Sequence, residues 1–507
     1  MDRFSPMRPI PLRRLALICA AALAVCFVAP VATPQAKPAP TQQPAKPPKG
    51  GGTMKESRAS RDAHEKILKA YGLYANQELQ DYVNELGQRI ARHSSLPNAE
   101  WTFVLLDDDS INAFTTGCCF VYLHRGLLAN LNSEAELASV IGHEIAHVTQ
   151  KHPQKRQTGG ILATLGVLGA AVLTGSGAVA DLANIGAQAW MQGYGRGNEL
   201  EADRVGLVFS TAAGYRPEAM GEVFEMFRRG ERFELDRARA EGRPPRVYHG
   251  LFSSHPAPDA RAVQAAKASA GISGTPPGGW IENRESYLRR IEGMTYGSSR
   301  AQGLVRGNRF YHAELGITLA VPTGWTIENQ RDRLIFYTPQ KDSVMQVTVQ
   351  GVPPTQGPRE FLMTQLKGAR TYGSEAFTSN GMQGFATLVP NGSPLDGGVG
   401  PVRYAVLYRG NSAYIFAGAS RASRNGIPEA DGLFQSVVQT LRGLKPAEAP
   451  LAEPFRLRIK TATAGTRLED HVSAMPEDKF AKEQLQLING LYPNGNPKPG
   501  ALYKVVE

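Results

Sequence analysis

Residues 143–147 read His-Glu-Ile-Ala-His, and residues of these types at this spacing could carry metal chemistry. Side chains four apart lie on one face of a helix, so His143 and His147 could bind the same Zn²⁺. The carboxylate of Glu144 would then reach a water held by that metal. A surface helix with two unrelated histidines is the structural alternative. The stretch predicts only part of a site, because a catalytic zinc usually has three protein ligands.

A second pair of acidic residues supplies candidates for the rest of the site. Glu199 and Asp203 are also four apart, in a segment with a helical pattern. Glu199 is the candidate third ligand. Asp203, one turn further on the same face, could accept the outer N–H of a zinc-bound histidine and fix its tautomer. Taken alone, the pair could equally be a solvated acidic helix start.

The two histidines must lie on a helix, and local signals predict one. Ser133 with Glu136 three residues later forms a capping box at its start. Apolar residues recur at helical spacing as far as Val148, and Pro153 follows the predicted end. His152, beside that end, is interpreted as a helix-end partner.

Strand patterns precede this helix. Residues 101–106 and 120–123 alternate as strands do, and Asn112-Ala113-Phe114 lies between them. The last two cysteines, Cys118 and Cys119, are adjacent, so the chain is not a disulfide scaffold. These two cysteines could form a vicinal disulfide or remain two buried thiols, and we expect the two buried thiols.

The N-terminus predicts export to the periplasm. In residues 1–36 four arginines precede an apolar run and small residues, which is typical of a secretory signal peptide. An uncleaved anchor and lipid attachment at Cys26 are the alternatives. Residues 37–63 begin with a stretch rich in Pro, Gly and Lys, which predicts a disordered linker.

The net charge of +10 does not by itself indicate a nucleic-acid partner. Its Lys and Arg residues are spread along the chain, with no basic run interleaved with aromatics. Residues 157–180 carry no charge and are rich in Gly, Ala and Leu. They predict a helical hairpin near the site rather than a membrane span, because the glycines dilute their hydropathy. Peripheral membrane contact by this hairpin remains open.

The motifs resemble a known family. HExxH followed downstream by ExxAD resembles the zinc metallopeptidases of the HtpX, CAAX prenyl protease and BepA type, within the gluzincins. The stretches that begin at Asn112, Val121 and Asn198 are similar to the family's core order, and the resemblance covers about residues 64–270. The signal peptide and the lack of several spanning helices resemble the periplasmic BepA-like branch.

The resemblance implies roles for individual residues. It implies that His143, His147 and Glu199 bind one zinc ion per chain. Glu144 would be the general base, and Asp203 would support a ligand from behind.

The resemblance also implies a regulatory residue and a cleft. The segment around His255 resembles a loop whose histidine can take the fourth zinc position and keep the enzyme latent; a plain loop cap before a helix is the alternative. Asn112, Ala113 and Phe114 would belong to a strand that lines the substrate cleft. The family usually has a glycine-rich turn here, whereas this chain has Thr-Thr-Gly-Cys-Cys at 115–119.

The fold class expected is multidomain. Residues 64–300 are predicted to form a mainly α-helical, zincin-type metallopeptidase domain with a small β-sheet. Residues 301–446 alternate strand patterns with two helical stretches, which predicts an α+β domain, and they resemble PsbP/Mog-like domains. Residues 447–507 resemble a LysM module, which would imply peptidoglycan contact; a small β-α-β cap without ligand is the alternative.

The function expected is that of a zinc-dependent endopeptidase of the bacterial cell envelope. A zinc-activated water with Glu144 as general base would hydrolyse peptide bonds in misfolded or stalled envelope proteins. One alternative is a periplasmic chaperone or scaffold for outer-membrane protein assembly, with minor or latent protease activity. Another is a wall-binding protein with a vestigial peptidase domain. No nucleic-acid partner is expected.

Overall fold

The structure is a computed structural model that describes residues 58–155, 194–243, 245, 258–353, 355–395, 399–475 and 478–507. All of these fall within one compact unit, residues 43–507. Several predicted features lie outside the described residues, namely the signal peptide at 1–36 with Cys26, most of the linker at 37–63, the hairpin at 157–180 and His255. Among the described residues, no helix is long and apolar enough to cross a membrane.

Helices make up most of the described residues before residue 300. They are α1 (Arg58–Tyr71), α2 (Gln77–Ala91), α3 (Arg125–Asn130), α4 (Glu134–Thr149), α5 (His152–Lys155), α6 (Arg196–Ala212), α7 (Ala219–Ala240), α8 (Pro258–Ala270) and α9 (Arg284–Arg290). Every residue of α4 from Glu134 to Val148 is buried. Because α4 carries the HEIAH stretch, that stretch lies at the centre of the core and not on a surface helix.

The predicted cap of α4 is confirmed. The side chain of Ser133 accepts a hydrogen bond from the backbone N–H of Glu136 at 3.2 Å. The Glu136 carboxylate accepts from the N–H of Asn132 at 2.6 Å, one residue earlier than a standard capping box requires. The helix ends at Thr149, and Pro153 lies in the short helix α5 beyond it.

A small sheet packs beside α4. Its strands are β1 (Thr102–Leu106), β2 (Ala113–Gly117) and β3 (Phe120–His124), in the order β1-β3-β2. β1 pairs parallel to β3, and β2 pairs antiparallel to it as the edge strand nearest α4 and α5. The two predicted strands are confirmed, and Ala113 and Phe114 start a third.

Cys118 and Cys119 form the turn between β2 and β3. The expectation of two buried thiols is wrong, because a disulfide joins the two residues. Both side chains are buried in the main core.

The strands after residue 300 build a β-rich part of the fold with core clusters of its own. After β4 (Thr295–Tyr296) come β5 (Leu304–Arg306), β6 (Arg309–His312), β7 (Ile317–Ala320), β8 (Thr326–Asn329), β9 (Leu334–Tyr337), β10 (Ser343–Gly351), β11 (Tyr372–Ser379), β12 (Met382–Val389), β13 (Val402–Arg409), β14 (Ser412–Ser420), β15 (Ser423–Arg424), β16 (Ile427–Pro428) and β17 (Arg442–Gly443). One sheet has the order β11-β12-β13-β14-β10-β9-β8, and another the order β17-β7-β6-β5. The helices α10 (Pro358–Gln365) and α11 (Asp431–Thr440) match the two predicted helical stretches.

The last residues return to the helical part. They form a 3-10 helix at 446–452, β18 (Phe455–Thr461), a 3-10 helix at 468–474, α12 (Ala481–Ile488) and β19 (Leu502–Val506). The strands β19, β18 and β4 make one sheet, and the apolar residues of this segment belong to the same core cluster as α4. Lys504, fully buried, donates from Nζ to the carbonyl oxygens of Ala129 and Leu131 at 2.8 Å each. The C-terminal segment therefore completes the core around the start of α4.

Candidate metal centre

Two glycines let α4 and α6 approach closely. A Cβ on Gly142 would lie 2.7 Å from the carbonyl oxygen of Gly206, and a Cβ on Gly206 would lie 2.7 Å from the backbone nitrogen of His143. No real side chain fits at such distances, so glycine is required on both helices. This contact fixes α6, which carries Glu199, against the helix that carries the two histidines.

The three predicted ligands meet at this helix pair. Nε2 of His143 lies 2.9 Å from Nε2 of His147, and the Glu199 carboxylate lies 3.6 Å from the first and 3.4 Å from the second. All three side chains are buried. Within the described ranges, they are the only group of three or more His, Cys, Asp or Glu residues whose ligand atoms come close enough to hold a metal ion.

The donor set fits zinc. Two imidazole nitrogens and one carboxylate oxygen are the protein ligands of many catalytic zinc sites. Ligand atoms at zinc-bonding distance in a tetrahedron lie roughly 3.3 Å apart. The separations of 2.9, 3.4 and 3.6 Å lie on either side of that value. Glu144, adjacent to the first ligand on α4, is fully buried beside them.

Asp203 holds one of the histidines from behind. Its Oδ1 lies 2.9 Å from Nδ1 of His143, the ring nitrogen that faces away from the other donors. That contact places the proton of a neutral His143 on Nδ1 and leaves Nε2 free for a metal. Burial alone would raise the pKa of Asp203, but hydrogen bonds from Arg261 and His143 outweigh it and lower the pKa to about 2.

Arg261, on α8, is a site residue that the sequence reasoning missed. Its Nε and Nη2 donate to the two carboxylate oxygens of Asp203 at 2.7 and 2.6 Å, and its Nη1 lies 2.9 Å from Glu199. The guanidinium also lies over the ring of Phe224, 4.9 Å from its centre. One buried cation thus fixes both acidic residues. One sequence signal could have indicated its burial. Arg261 lies at helical spacing from the buried Ala265, on the apolar face of α8.

The predicted cleft residues lie on β2 and just before it. Ala113 belongs to the main core, while Phe114 faces the other side of the sheet and stacks on Tyr122 with ring centres 4.9 Å apart. The backbone carbonyl of Asn112 accepts a hydrogen bond from the N–H of His124. β2 is thus an edge strand that adjoins the metal-site helix.

An HExxH helix whose histidines meet a glutamate from a second helix is the arrangement of metallopeptidases of the zincin class. Residues 77–269 match the model of peptidase family M48. The match includes all three candidate ligands.

Curated relatives match the same region. The beta-barrel assembly-enhancing protease of Yersinia pestis is 34% identical over 196 residues, which cover 37% of this chain and 38% of the relative. The protein of the same name from Escherichia coli K12 is 33% identical over the same length. The mitochondrial metalloendopeptidase OMA1 of Arabidopsis thaliana is 29% identical over 136 residues, 27% of each chain. The chain therefore spans little more than a third of the length of the bacterial relatives.

One solved structure aligns with part of the chain. Cyanobacterial PsbP from Synechocystis sp. PCC 6803 aligns with 28% of this chain and 95% of its own length, at 13% identity. The TM-score is 0.21, too low to support a conclusion about the fold.

Proposed function

We propose that the chain is a zinc-dependent endopeptidase of the bacterial cell envelope. One observation carries the proposal, namely the convergence of His143, His147 and Glu199 beside the buried Glu144. The match of residues 77–269 to peptidase family M48 supports the same reaction class.

The residues of the chain divide the work of hydrolysis. Zinc held at this site would polarise the scissile carbonyl and make a water more acidic. Glu144 takes a proton from the attacking water and delivers it to the departing amine nitrogen. Asp203 orients His143, and Arg261 holds Glu199 and Asp203 in place. Burial of the whole set strengthens each of these electrostatic contacts.

The compartment and substrates are also proposals. The signal-peptide pattern of residues 1–36 supports export to the periplasm. The bacterial relatives are named beta-barrel assembly-enhancing proteases, which supports misfolded or stalled envelope proteins as substrates. The same name favours a second candidate, a scaffold for outer-membrane protein assembly in which cleavage is minor or latent.

Glu144→Gln separates the two candidates. The substitution keeps the shape of the side chain but removes its basicity, so the endopeptidase should lose casein cleavage by at least a hundredfold while its zinc content is unchanged. A matched control is Glu134→Gln at the start of the same helix, which should leave cleavage within a few-fold of wild type. If casein cleavage and genetic complementation by the chain both survive Glu144→Gln, the endopeptidase proposal is refuted and the scaffold is favoured.

We propose that His255 keeps the enzyme latent as a fourth zinc ligand. His255→Ala should then raise casein cleavage by the full chain. An activity that stays the same or falls would instead fit a loop cap or a group that contacts the substrate.

We further propose the division of the chain into residues 64–300, 301–446 and 447–507, with a PsbP/Mog-like middle part. The strand, 3-10 helix, helix and strand order of the last part supports a LysM-like, peptidoglycan-binding role. Cosedimentation with purified peptidoglycan tests this role, and it requires the full chain because 447–507 shares the main core. Residues 157–180 are proposed to touch the membrane peripherally, and vesicle flotation tests that contact.

A further inference from the structure

His147 has partners on both edges of its ring. Its Nε2 faces His143 and Glu199, the other candidate ligands. Its Nδ1 lies 2.8 Å from Nδ1 of His152. His152 is fully buried, and its Nε2 lies 3.3 Å from a carboxylate oxygen of Glu201 on α6. The helix-end role expected for His152 therefore omits its contact with the imidazole ring of His147, a candidate metal ligand.

The positions of the protons follow from these contacts. A ligand histidine must offer a lone pair to the metal, so a neutral His147 that binds through Nε2 carries its proton on Nδ1. Two ring nitrogens 2.8 Å apart need one donor and one acceptor, so Nδ1 of His152 accepts. The proton of His152 then lies on Nε2, where Glu201 can accept it.

We propose that His152 is a positioning residue that fixes the tautomer and ring plane of His147, with Glu201 fixing His152 in turn. The inference rests on the zinc site of the proposed function. It gives the two histidine ligands different supports, since His143 is held by the carboxylate of Asp203 and His147 by a neutral imidazole.

The local fold brings His152 to this position. α4 ends at Thr149, and Lys151 adopts a left-handed conformation with φ of 58°. The chain reverses there, so the side chain of His152 turns back toward His147. Tyr194 stacks on His147 with ring centres 4.0 Å apart and planes 22° apart. The ring of His147 is thus held at its face by Tyr194 and at its outer nitrogen by His152.

Zinc affinity tests the inference without reference to catalysis. Loss of a group that supports a ligand histidine typically weakens metal binding by about 10- to 100-fold. In a chelator competition with the full chain, we expect His152→Ala to weaken zinc binding within that range. His152→Asn places an oxygen near the position of Nδ1, so it should recover most of the affinity. Glu201→Ala, further from the metal and 38% exposed, should weaken binding by about threefold or more.

His124→Ala is the matched control. His124 is also a buried histidine bonded to a carboxylate, with Asp108 at 3.0 Å, but it contacts none of the candidate ligands. Its loss should lower the free energy of unfolding and leave zinc affinity unchanged. Equal weakening by His124→Ala and His152→Ala would overturn the inference, since any buried histidine would then have the same effect.

The remaining outcomes also decide the question. If wild type and His152→Ala bind zinc with equal affinity, the positioning role is overturned and the proposed function is left intact. Wild type that binds no zinc would overturn both. If His152→Ala does not fold, Glu201→Ala decides, and unchanged zinc affinity in that variant would overturn the inference.

Discussion

Gly206→Ala tests how closely α4 and α6 must pack to assemble the metal site. A Cβ at this position would lie 2.7 to 2.8 Å from three backbone atoms of Gly142 and His143, so the helices would have to separate by several tenths of an ångström. Overpacking of this kind costs about 1–3 kcal/mol. The helix propensity of alanine offsets about 0.5–1 kcal/mol. We therefore expect a net loss of about 1 kcal/mol, within a range of roughly 0–2.5 kcal/mol.

The same shift moves Glu199 away from the two histidines. Gly206→Ala should therefore weaken zinc binding as well as lower the free energy of unfolding of the metal-free chain. The control is Gly230→Ala in the middle of α7, where an added Cβ would meet nothing within 4 Å. Alanine there should raise stability by about 0.5–1 kcal/mol and leave zinc binding unchanged.

Equilibrium urea unfolding and chelator competition give both quantities. A Gly206→Ala variant as stable as wild type, with unchanged zinc affinity, would refute the reasoning. Equal effects of the two substitutions would also refute it, because the added carbon meets backbone atoms at Gly206 and nothing at Gly230.

Three further predictions concern the supports of the site and the fold. Arg261→Met should lower the stability of the metal-free chain by about 3–5 kcal/mol, because it leaves two buried carboxylates without their cation; a loss below 1 kcal/mol in urea unfolding would contradict this. Deletion of 447–507 removes part of the core of the helical part, so the helices should lose the cooperative thermal transition that circular dichroism follows in the full chain. A helix transition like that of the full chain would indicate a separable module. Burial opposes ionisation of Asp108, yet hydrogen bonds from His124 and Ser110 lower its pKa below the ordinary value. The ionised Asp108 therefore stabilises the fold above about pH 4, and this stabilisation is lost as the pH falls. Asp108→Asn should therefore be less stable than wild type at pH 7, with a difference that shrinks below about pH 4, and a difference independent of pH would refute it.

Local signals predicted the elements that carry the site. The cap at Ser133 acts within one helical turn, so it can be read from the sequence without knowledge of the fold. The spacing of His143 and His147 works in the same way, because a helix turns that spacing into a shared face. Glu199 was also predicted from spacing, because Asp203 lies one helical turn beyond it, and the family resemblance implied the same role; the structure brings it to the histidines.

Contacts between distant residues could not be predicted in this way. Arg261 lies 58 residues from Asp203, and nothing in the intervening sequence indicates that α8 returns to the site. His152 meets His147 only because Lys151 reverses the chain with a positive φ, which lysine rarely adopts. Lys504 reaches the carbonyl of Ala129 across 375 residues, so packing of the C-terminus against α4 has no local pattern.

Metal analysis of the purified full chain tests the central claim most directly. We expect one zinc ion per wild-type chain after equilibration with zinc and removal of loosely bound metal. Glu199→Gln keeps the side-chain shape but removes the anionic ligand, so it should retain less than about a tenth of that zinc. Stoichiometric zinc in both proteins would show that Glu199 is not a ligand, and no zinc in wild type would contradict the account of the site.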